Sequence, residues 1–339
     1  MISVRRLLQG LVATLIGASV AMPLLAQTPP ESQRISIQIA TGPVTGSYLR
    51  VGETVARIIS NPPGLARCDD DGVCGPKGLI ATSRSSSGSI ANAISVNSGR
   101  VKSAIVQSDI ARAAFEGTGP FRNSGALKNL RALARLHDET LHLVVASRSG
   151  IRRLGDLKGK RVGIDSATSA TNFTARMVLA TARVSTGRMT LSFQSPEKAA
   201  EDVRDGKLDA YFTIGAAPIR SVDGLVRRGQ ARVVGLDAKV VAAAVRKSPI
   251  FHRVAMPGDT YRRSKALTTL GVTTVWLVHK DMSDDVAYGI LRSLWNPANH
   301  AELERLGSLA ETIKVERAAE NLPLPLHPGA QRFYAGADR

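Results

Sequence analysis

Residues 35–59 read ISIQIATGPVTGSYLRVGETVARII, and this stretch decides the fold class. Isoleucines alternate with polar residues over 35–39, which is the pattern of a β-strand. A loop rich in threonine and glycine follows at 41–46, and apolar residues then recur at helical spacing over 48–59. The sequence Asn-Pro-Pro-Gly at 61–64 ends the helix. The stretch therefore predicts a strand, a loop and a helix in series.

The same order of elements recurs along the chain. Further predicted strands lie at 79–81, 104–106, 161–164, 208–214 and 272–278, and further predicted helices lie at 89–97, 108–115, 171–182, 196–206 and 283–295. Strands that alternate with helices predict mostly parallel sheets with helical crossovers, and so an α/β fold. A chain of 339 residues is long enough for about two domains of that kind.

The N-terminus, residues 1–26, has the pattern of a secretory signal peptide. Arg5 and Arg6 precede an apolar run at 11–20, and Ala26 suits cleavage before Gln27. The alternative is a membrane anchor, but the apolar run is shorter than the roughly 20 residues that a span needs. We therefore predict a periplasmic protein with no stable membrane insertion after cleavage.

The chain has two cysteines, Cys68 and Cys74, on either side of an acidic loop at 69–73. An exported protein meets an oxidising compartment, so we predict a disulfide between them. The alternative is a pair of free, buried thiols. The three aspartates at 69–71 lack the alternate spacing and final glutamate of a calcium-binding EF-hand loop, and we predict no metal site.

Four loops that each follow a predicted strand and precede a predicted helix carry hydroxyl groups, and glycines stand in the first two of them. In open parallel sheets, ligands bind beyond the carboxyl ends of the strands, where helix N-termini attract anions. One such loop alone is commonly an ordinary helix cap, whereas four together favour a binding cleft. The loops lie at 41–47, 85–89, 107–109 and 166–171.

The composition argues against two other functions. The net charge of +17 raises the possibility of nucleic-acid binding, but the basic residues are scattered and only 4% of residues are aromatic. The sequence also has no Gly-x-Ser-x-Gly, Walker A, Gly-x-Gly-x-x-Gly or His-Glu-x-x-His motif. We predict neither an enzyme nor a cofactor, and no nucleic-acid partner. An enzyme alternative would use Asp109 with His137 or His142.

Several segments between Ile35 and about Tyr334, taken in order, resemble the TAXI-type solute-binding proteins of TRAP transporters. The segments are Thr41-Gly42-Pro43-Val44-Thr45-Gly46-Ser47-Tyr48, Gly88-Ser89-Ile90-Ala91-Asn92, Val106-Gln107-Ser108-Asp109, Glu139-Thr140-Leu141-His142, Asp156-Leu157-Lys158-Gly159, Asp209-Ala210-Tyr211-Phe212 and Pro325-Leu326-His327-Pro328-Gly329-Ala330.

The resemblance implies a two-lobed periplasmic type II binding-protein fold. Each lobe is then a mostly parallel sheet flanked by helices, with lobe I at 34–138 plus 272–339 and lobe II at 139–271. Hinge strands would cross between the lobes at 130–147 and 270–280. The implied function is capture of a small organic anion, either an amino acid such as glutamate or a dicarboxylate or other organic acid, and its delivery to the membrane subunits of a TRAP permease by a monomer.

The resemblance also implies a set of ligand contacts from both lobes. Lobe I would supply Thr41, Gly42, Thr45, Gly46, Tyr48, Ser85, Ser86, Ser89, Gln107, Ser108 and Asp109, and lobe II would supply Ser169, Thr171, Phe212, Gly215 and Pro218. Pro43, Ser87 and residues 167–171 replace glycine-containing patterns of the family, which narrows backbone freedom in those loops. His137-Asp138 likewise replaces its typical Tyr-Pro.

Two other functions remain open at this point. A periplasmic sensor subunit would present its closed form to a signalling receptor instead of a permease, and the sequence does not separate it from a transport receptor. An enzyme on the same two-lobed scaffold is the second alternative, since a fold does not fix a function.

Overall fold

The computed structural model describes residues 34–70, 72–262 and 264–336. The predicted signal peptide, Asp71 and the last three residues lie outside the described residues. Within the described part of the chain, no helix is both long enough and apolar enough to cross a bilayer.

The strands and helices follow the predicted order. The strands are β1 (Ile35–Ala40), β2 (Leu79–Arg84), β3 (Ser103–Gln107), β4 (Leu130–Ala146), β5 (Arg161–Gly163), β6 (Thr190–Ser192), β7 (Ala210–Gly215), β8 (Ala231–Val234), β9 (Phe251–Met256) and β10 (Leu267–His279). The helices are α1 (Ser47–Ile59), α2 (Ser89–Asn97), α3 (Ser108–Glu116), α4 (Ala170–Thr181), α5 (Pro196–Arg204), α6 (Arg220–Arg227), α7 (Ala238–Lys247), α8 (Asp284–Leu294), α9 (His300–Glu304) and α10 (Pro328–Tyr334).

One continuous sheet has the strand order β2-β1-β3-β10-β4-β7-β5-β6, with β8 beside β4 and β9 beside β10. The pairs β1–β2, β1–β3, β5–β6 and β5–β7 are parallel, as the alternation of strands and helices predicts. The long strands β4 and β10 pair antiparallel with each other. They occupy the two segments predicted as crossings, and they connect the two ends of the sheet.

The hydrophobic core is divided between these two ends. The first half of the protein, built on β1, β2 and β3, has two clusters of buried side chains that include Trp276 and Phe121. The second half, built on β5, β6 and β7, has two others that include Phe212 and Tyr211. β4 and β10 contribute side chains to both halves, because apolar residues occur along almost their whole length.

The strand register brings the carboxyl ends of the two half-sheets to the same place. Gln107 at the end of β3 pairs with Thr274 of β10, whose neighbour Thr273 pairs with Asp138 of β4. Gly215 at the end of β7 pairs with Thr140 of β4. Thr274 itself lies opposite residues 136–137 of β4, so only three or four positions on β4 separate the levels at which the two half-sheets end, and the loops beyond them face each other.

A serine at the start of a predicted helix is expected to cap it, which applies to Ser108 before α3 and to Ser195 before α5. The expectation is wrong for Ser108, because the capping position belongs to Gln107 and Ser108 is the first helical residue. The hydroxyl of Ser108 instead donates a hydrogen bond of 2.9 Å to the main-chain oxygen of Thr273. The expectation is confirmed for Ser195, since its Oγ accepts from the main-chain N–H of Lys198 at 3.3 Å.

The predicted disulfide between Cys68 and Cys74 is present, with a Cα–Cα distance of 5.2 Å. Cross-linking residues only six apart removes little chain entropy from the unfolded state, so replacing both cysteines by serine should lower the free energy of unfolding by about 2 kcal/mol. Urea denaturation of the two proteins measures this difference. A loss well above that figure, or a loss of solute binding, would contradict a purely local role for the cross-link.

Candidate ligand-binding site

The loops of the first half are fixed by their own hydroxyl groups. Thr41 Oγ1 donates to the main-chain oxygen of Arg84 at 2.8 Å, and Ser86 Oγ donates to that of Thr41 at 3.0 Å. Asn92 Nδ2 donates to the same Thr41 oxygen at 2.5 Å. Gly88 has φ of 97°, which lies in the region that favours glycine. These contacts hold the loops after β1 and β2 together at the edge of the sheet.

A buried carboxyl group, that of Glu139 in β4, lies behind these loops. Its Oε2 accepts a hydrogen bond of 2.9 Å from the hydroxyl of Tyr48, and its Oε1 is 3.4 Å from Ser47 Oγ. The Tyr48 hydroxyl is also 3.5 Å from Ser89 Oγ. Glu139 thus joins the start of α1 to the middle of the strand that connects the two halves.

A histidine two residues earlier on β4 extends this network. His137 Nε2 is 2.9 Å from Ser47 Oγ, and its Nδ1 is 3.1 Å from Thr274 Oγ1 on β10. Thr274 Oγ1 also lies 3.0 Å from the main-chain oxygen of His137 and can donate to it. The chain of contacts therefore runs from Glu139 through Ser47 and His137 to the second long strand.

The first half contacts the second half through a second buried carboxyl group, that of Asp109. Thr174 of α4 donates to Asp109 Oδ2 at 2.7 Å, and Gln107 Nε2 donates to Asp109 Oδ1 at 2.6 Å. Gln107 Nε2 also donates to Thr174 Oγ1 at 3.1 Å. Because Thr174 belongs to the second half, this triangle holds the two halves together.

A further hydrogen bond joins the two halves at the surface. Thr45, in the loop after β1, donates to Glu197 Oε1 of α5 at 2.6 Å. Phe173 of α4 also packs on the first half, where a Cβ on Gly119 would come within 2.6 Å of its ring. The loops at the two strand ends are therefore in direct contact, which is a closed arrangement.

The loop after β5 carries the second-half residues. Ser169 Oγ caps α4 by accepting from the main-chain N–H of Asn172 at 3.0 Å. Asp165, with φ of 64°, accepts from the main-chain N–H of Ser166 at 2.7 Å. Burial raises the pKa of Asp165, whereas the hydroxyls of Ser169 and Thr171 act to lower it. This loop adds a third partly buried carboxyl to the region.

Burial dominates the electrostatics of the buried groups. It raises the pKa of Glu139 to about 7, against the lowering effect of the hydrogen bonds from Tyr48 and Ser47. It raises the pKa of Asp109 too, and it raises that of Tyr48 well above its ordinary value. The pKa of His137 is lowered to about 4 for the same reason. Burial therefore works against the charged form of each of these four groups.

The predicted contacts fall into three groups. Thr45, Tyr48, Ser89, Gln107 and Asp109 are in the region where the two halves meet, and Gly42, Gly46, Ser85, Ser86, Ser169 and Thr171 are in the surrounding loops or at the start of a helix. Thr41 and Ser108 use their hydroxyls on main-chain oxygens. Phe212 packs in the core of the second half, and Gly215 and Pro218 shape the chain after β7.

Three residues of the site are absent from the predicted contacts. Glu139 and Thr174 are buried, and Glu197 accepts the bond from Thr45. A signal for Glu139 was present, because residues 137–140 form the longest run of polar residues in the strand. The sequence contains no such signal for Thr174, because its hydrogen-bond partner, Asp109, is 65 positions away in the chain.

The described residues give Glu139 and Asp109 no hydrogen bond or ion pair with a lysine or arginine side chain. Within the same residues, no group of three His, Cys, Asp or Glu side chains is placed to hold a metal ion. A surface depression at Arg176, Ala180 and Arg183 lies further along α4 than Thr174 and does not include these carboxyls.

A family model described as the NMT1-like family matches residues 39–336. Three solved structures are similar to the chain. A protein of Bordetella bronchiseptica RB50 is 15% identical, with a TM-score of 0.51 over 89% of this chain and 80% of that one. A Xanthomonas citri protein bound to ATP is 13% identical, with a TM-score of 0.51 over 88% and 98%. The alkanesulfonate-binding protein SsuA of Xanthomonas axonopodis pv. citri, bound to MOPS, is 15% identical, with a TM-score of 0.45 over 88% and 83%.

At these identities the structural similarity concerns the fold alone. The two structures with the higher score match most of the chain, including both halves of the sheet. The predicted fold class, two α/β halves flanked by helices and joined by long strands, is confirmed.

Proposed function

Because this chain belongs to the NMT1-like family, we propose that it is an extracytoplasmic receptor that closes its two halves around a small organic solute. The observation that carries the proposal is the buried triangle of Gln107, Asp109 and Thr174, which joins loops at the carboxyl ends of two separate half-sheets. Ligands of open α/β sheets bind at such ends. The halves correspond to lobe I, residues 34–138 plus 272–339, and lobe II, residues 139–271.

The chemistry of the site favours an amino acid, such as glutamate, over a dicarboxylate. Gly46 and Gly88 occupy the capping positions before α1 and α2, and neither of these residues has a side chain that could cap the helix. Unpaired N–H groups at helix starts bind carboxylates. Glu139 and Asp109 lie close by and favour a positively charged group. An α-amino acid supplies both charges, whereas a dicarboxylate without an ammonium group has no positive charge to place beside the two buried carboxyls.

We propose that the receptor is a monomer in the periplasm. From there it delivers its solute to the membrane subunits of a TRAP-type permease. The motifs that resemble TAXI-type proteins, from Thr41 to Ala330, support this partner. This assignment is tested by expressing the receptor together with a TRAP permease in a strain that lacks other uptake routes for the solute. Uptake that requires an ion gradient and a TRAP permease supports the assignment, and uptake that requires an ABC-type ATPase would contradict it.

Thermal melting of the purified protein against amino acids and other small organic acids tests solute binding. A ligand at 100 times its dissociation constant adds roughly 2.7 kcal/mol to the free energy of unfolding, which is a shift of several degrees. We expect such a shift for an amino acid that is recovered chemically unchanged. Conversion of the compound would contradict a receptor function, as would the absence of a shift with every member of the panel.

Replacing Gln107 by alanine should weaken solute binding about tenfold. The change removes the amide that donates to both Asp109 and Thr174, and one such buried hydrogen bond contributes on the order of 1 kcal/mol. Isothermal titration with the compound found in the panel measures the effect. The exposed Gln331 in α10 supplies the control, and equal affinities for Gln107→Ala and Gln331→Ala would place the solute elsewhere.

A further inference from the structure

Glu139 belongs to a chain of polar groups in which each hydroxyl has a single hydrogen to donate. The chain runs from Glu139 Oε1 to Ser47 Oγ, then through the two ring nitrogens of His137 to Thr274 Oγ1. A neutral imidazole has one donor nitrogen and one acceptor nitrogen. Because Tyr48 donates to Oε2, an added proton on Glu139 lies on Oε1, and the charge of Glu139 then fixes the direction of every bond in the chain.

If Glu139 is ionised, Ser47 donates to it at 3.4 Å. Because the single hydroxyl hydrogen of Ser47 is then donated to Glu139, Ser47 Oγ accepts a hydrogen bond from His137 Nε2–H at 2.9 Å. His137 Nδ1 then has no hydrogen, and it accepts from the hydroxyl of Thr274 at 3.1 Å. All contacts of the chain are satisfied with the histidine in its Nε2–H form.

If Glu139 carries a proton, each of these hydrogen bonds runs in the opposite direction. The carboxyl group donates to Ser47, and Ser47 donates to His137 Nε2. His137 then has its hydrogen on Nδ1 and donates to Thr274, whose own hydrogen goes to the main-chain oxygen of His137 at 3.0 Å. This second arrangement is also complete, with the histidine in its Nδ1–H form.

We propose that Glu139 is a specificity-determining residue of the site, and that it exchanges one proton when a charged solute binds, with His137 changing tautomer in step. The inference rests on the proposed receptor function, because it concerns the charge of the solute held there. A solute ammonium group beside Glu139 selects the ionised arrangement and releases the proton. A solute that brings only negative charge selects the protonated arrangement.

The surroundings of Glu139 are consistent with a single exchangeable proton. Burial brings the pKa of Glu139 to about 7 and keeps His137 neutral above a pKa of about 4, so the carboxyl titrates while the ring does not become charged. The titratable and charged groups that surround the chain are Tyr48 of α1, Asp109 of α3, Asp138 on β4 itself, and Arg135 and His252, which contact Asp138. The adjoining parts of β7 and β10 contribute threonines, glycines and apolar residues.

Nuclear magnetic resonance of isotope-labelled imidazole nitrogens tests the relay in the solute-free protein. We expect His137 to change from the Nδ1–H to the Nε2–H form between about pH 5.5 and about pH 8.5, with a midpoint near 7. His142 is a matched internal control, because its Nδ1 must donate to the main-chain oxygen of Thr140 at 2.8 Å and its tautomer is fixed. It also reports that the protein remains folded.

The variant Glu139→Gln should hold His137 in one tautomer over the whole range. A wild-type His137 that does not change tautomer would overturn the proposal, and so would an equal change in Glu139→Gln. Ser47→Ala should break the chain, so that His137 no longer follows the titration of Glu139.

A second experiment measures thermal stabilisation of the protein by L-glutamate and by glutarate, which differ only in the ammonium group. In wild type, L-glutamate should stabilise the protein more at about pH 8.5 than at about pH 5.5, and glutarate should show the opposite order. Loss of both pH dependences in Glu139→Gln supports the assignment. Equal stabilisation at both pH values in wild type would overturn it while leaving the receptor function standing. A tautomer change without binding of any compound would instead overturn the receptor function, and with it the role of Glu139 in solute specificity, while the hydrogen-bond relay between Glu139 and His137 would stand.

Discussion

Relative to the wild-type protein, the Glu139→Gln protein should gain about 2.5 kcal/mol of unfolding free energy between about pH 5 and about pH 8. Burial raises the pKa of Glu139 from 4.5 in the unfolded chain to about 7 in the folded protein. Between these values the folded wild-type protein binds the extra proton, so the stabilisation that Glu139 contributes is lost as the pH rises. Other buried groups, such as His137, titrate in both proteins and cancel in the comparison. Below the lower value the carboxyl is protonated in both states, and no difference arises.

Urea denaturation at a series of pH values measures this difference. At about pH 8 the Glu139→Gln protein should be the more stable of the two, because it has no charge to bury. The control is Glu53→Gln, which removes an exposed carboxylate on α1 that takes no part in the contacts between the halves described above. If Glu139→Gln retained the wild-type slope, Glu139 would not be the group that titrates.

Replacing Thr174 by valine should shift the protein towards an open arrangement of its halves. Valine has nearly the same shape but cannot donate to Asp109, so the closed form retains a buried carboxyl oxygen without its partner. Leaving a buried polar group unsatisfied costs about 1–3 kcal/mol, which reduces the closed population about five- to a hundredfold. Small-angle scattering should then show a larger radius of gyration, and solute affinity should fall in proportion.

The same helix supplies the control for that experiment. Thr181 Oγ1 donates to the main-chain oxygen of Met177 within α4 and makes no contact with the first half. Thr181→Val should therefore leave both the radius of gyration and the affinity unchanged. Equal effects of the two substitutions would mean that helix stability, and not the contact between the halves, determines closure.

Local patterns predicted most of the fold. The alternation at 35–39 and the helical spacing at 48–59 correspond to β1 and α1. The position of β10, antiparallel between β3 and β4, was not predicted by any local pattern, because it is determined by the return of the chain from the second half. Registers between strands far apart in sequence follow from packing, which a single sequence does not display.

The site was predicted in part for the same reason. Loops that follow strands are recognisable, and they indicated Tyr48, Gln107 and Asp109, which lie where the halves meet; their contact with a ligand stays a prediction. Thr174 acquires its role only from a partner on the other half. Phe212 illustrates the opposite case, because both faces of β7 are covered and its side chain is buried in the core.

The pairing of β4 with β10 has a mechanical consequence. Its register shifts twice, between Thr273 and Val275 and between Trp276 and Leu277, close to the level of Glu139. Irregularities of this kind bend a strand locally, while the regular ladder on either side resists stretching and shear. Such a two-stranded ribbon has one soft direction of bending. The angle between the halves then reduces to a single coordinate, and one pair of spectroscopic labels across them is enough to follow occupancy in real time.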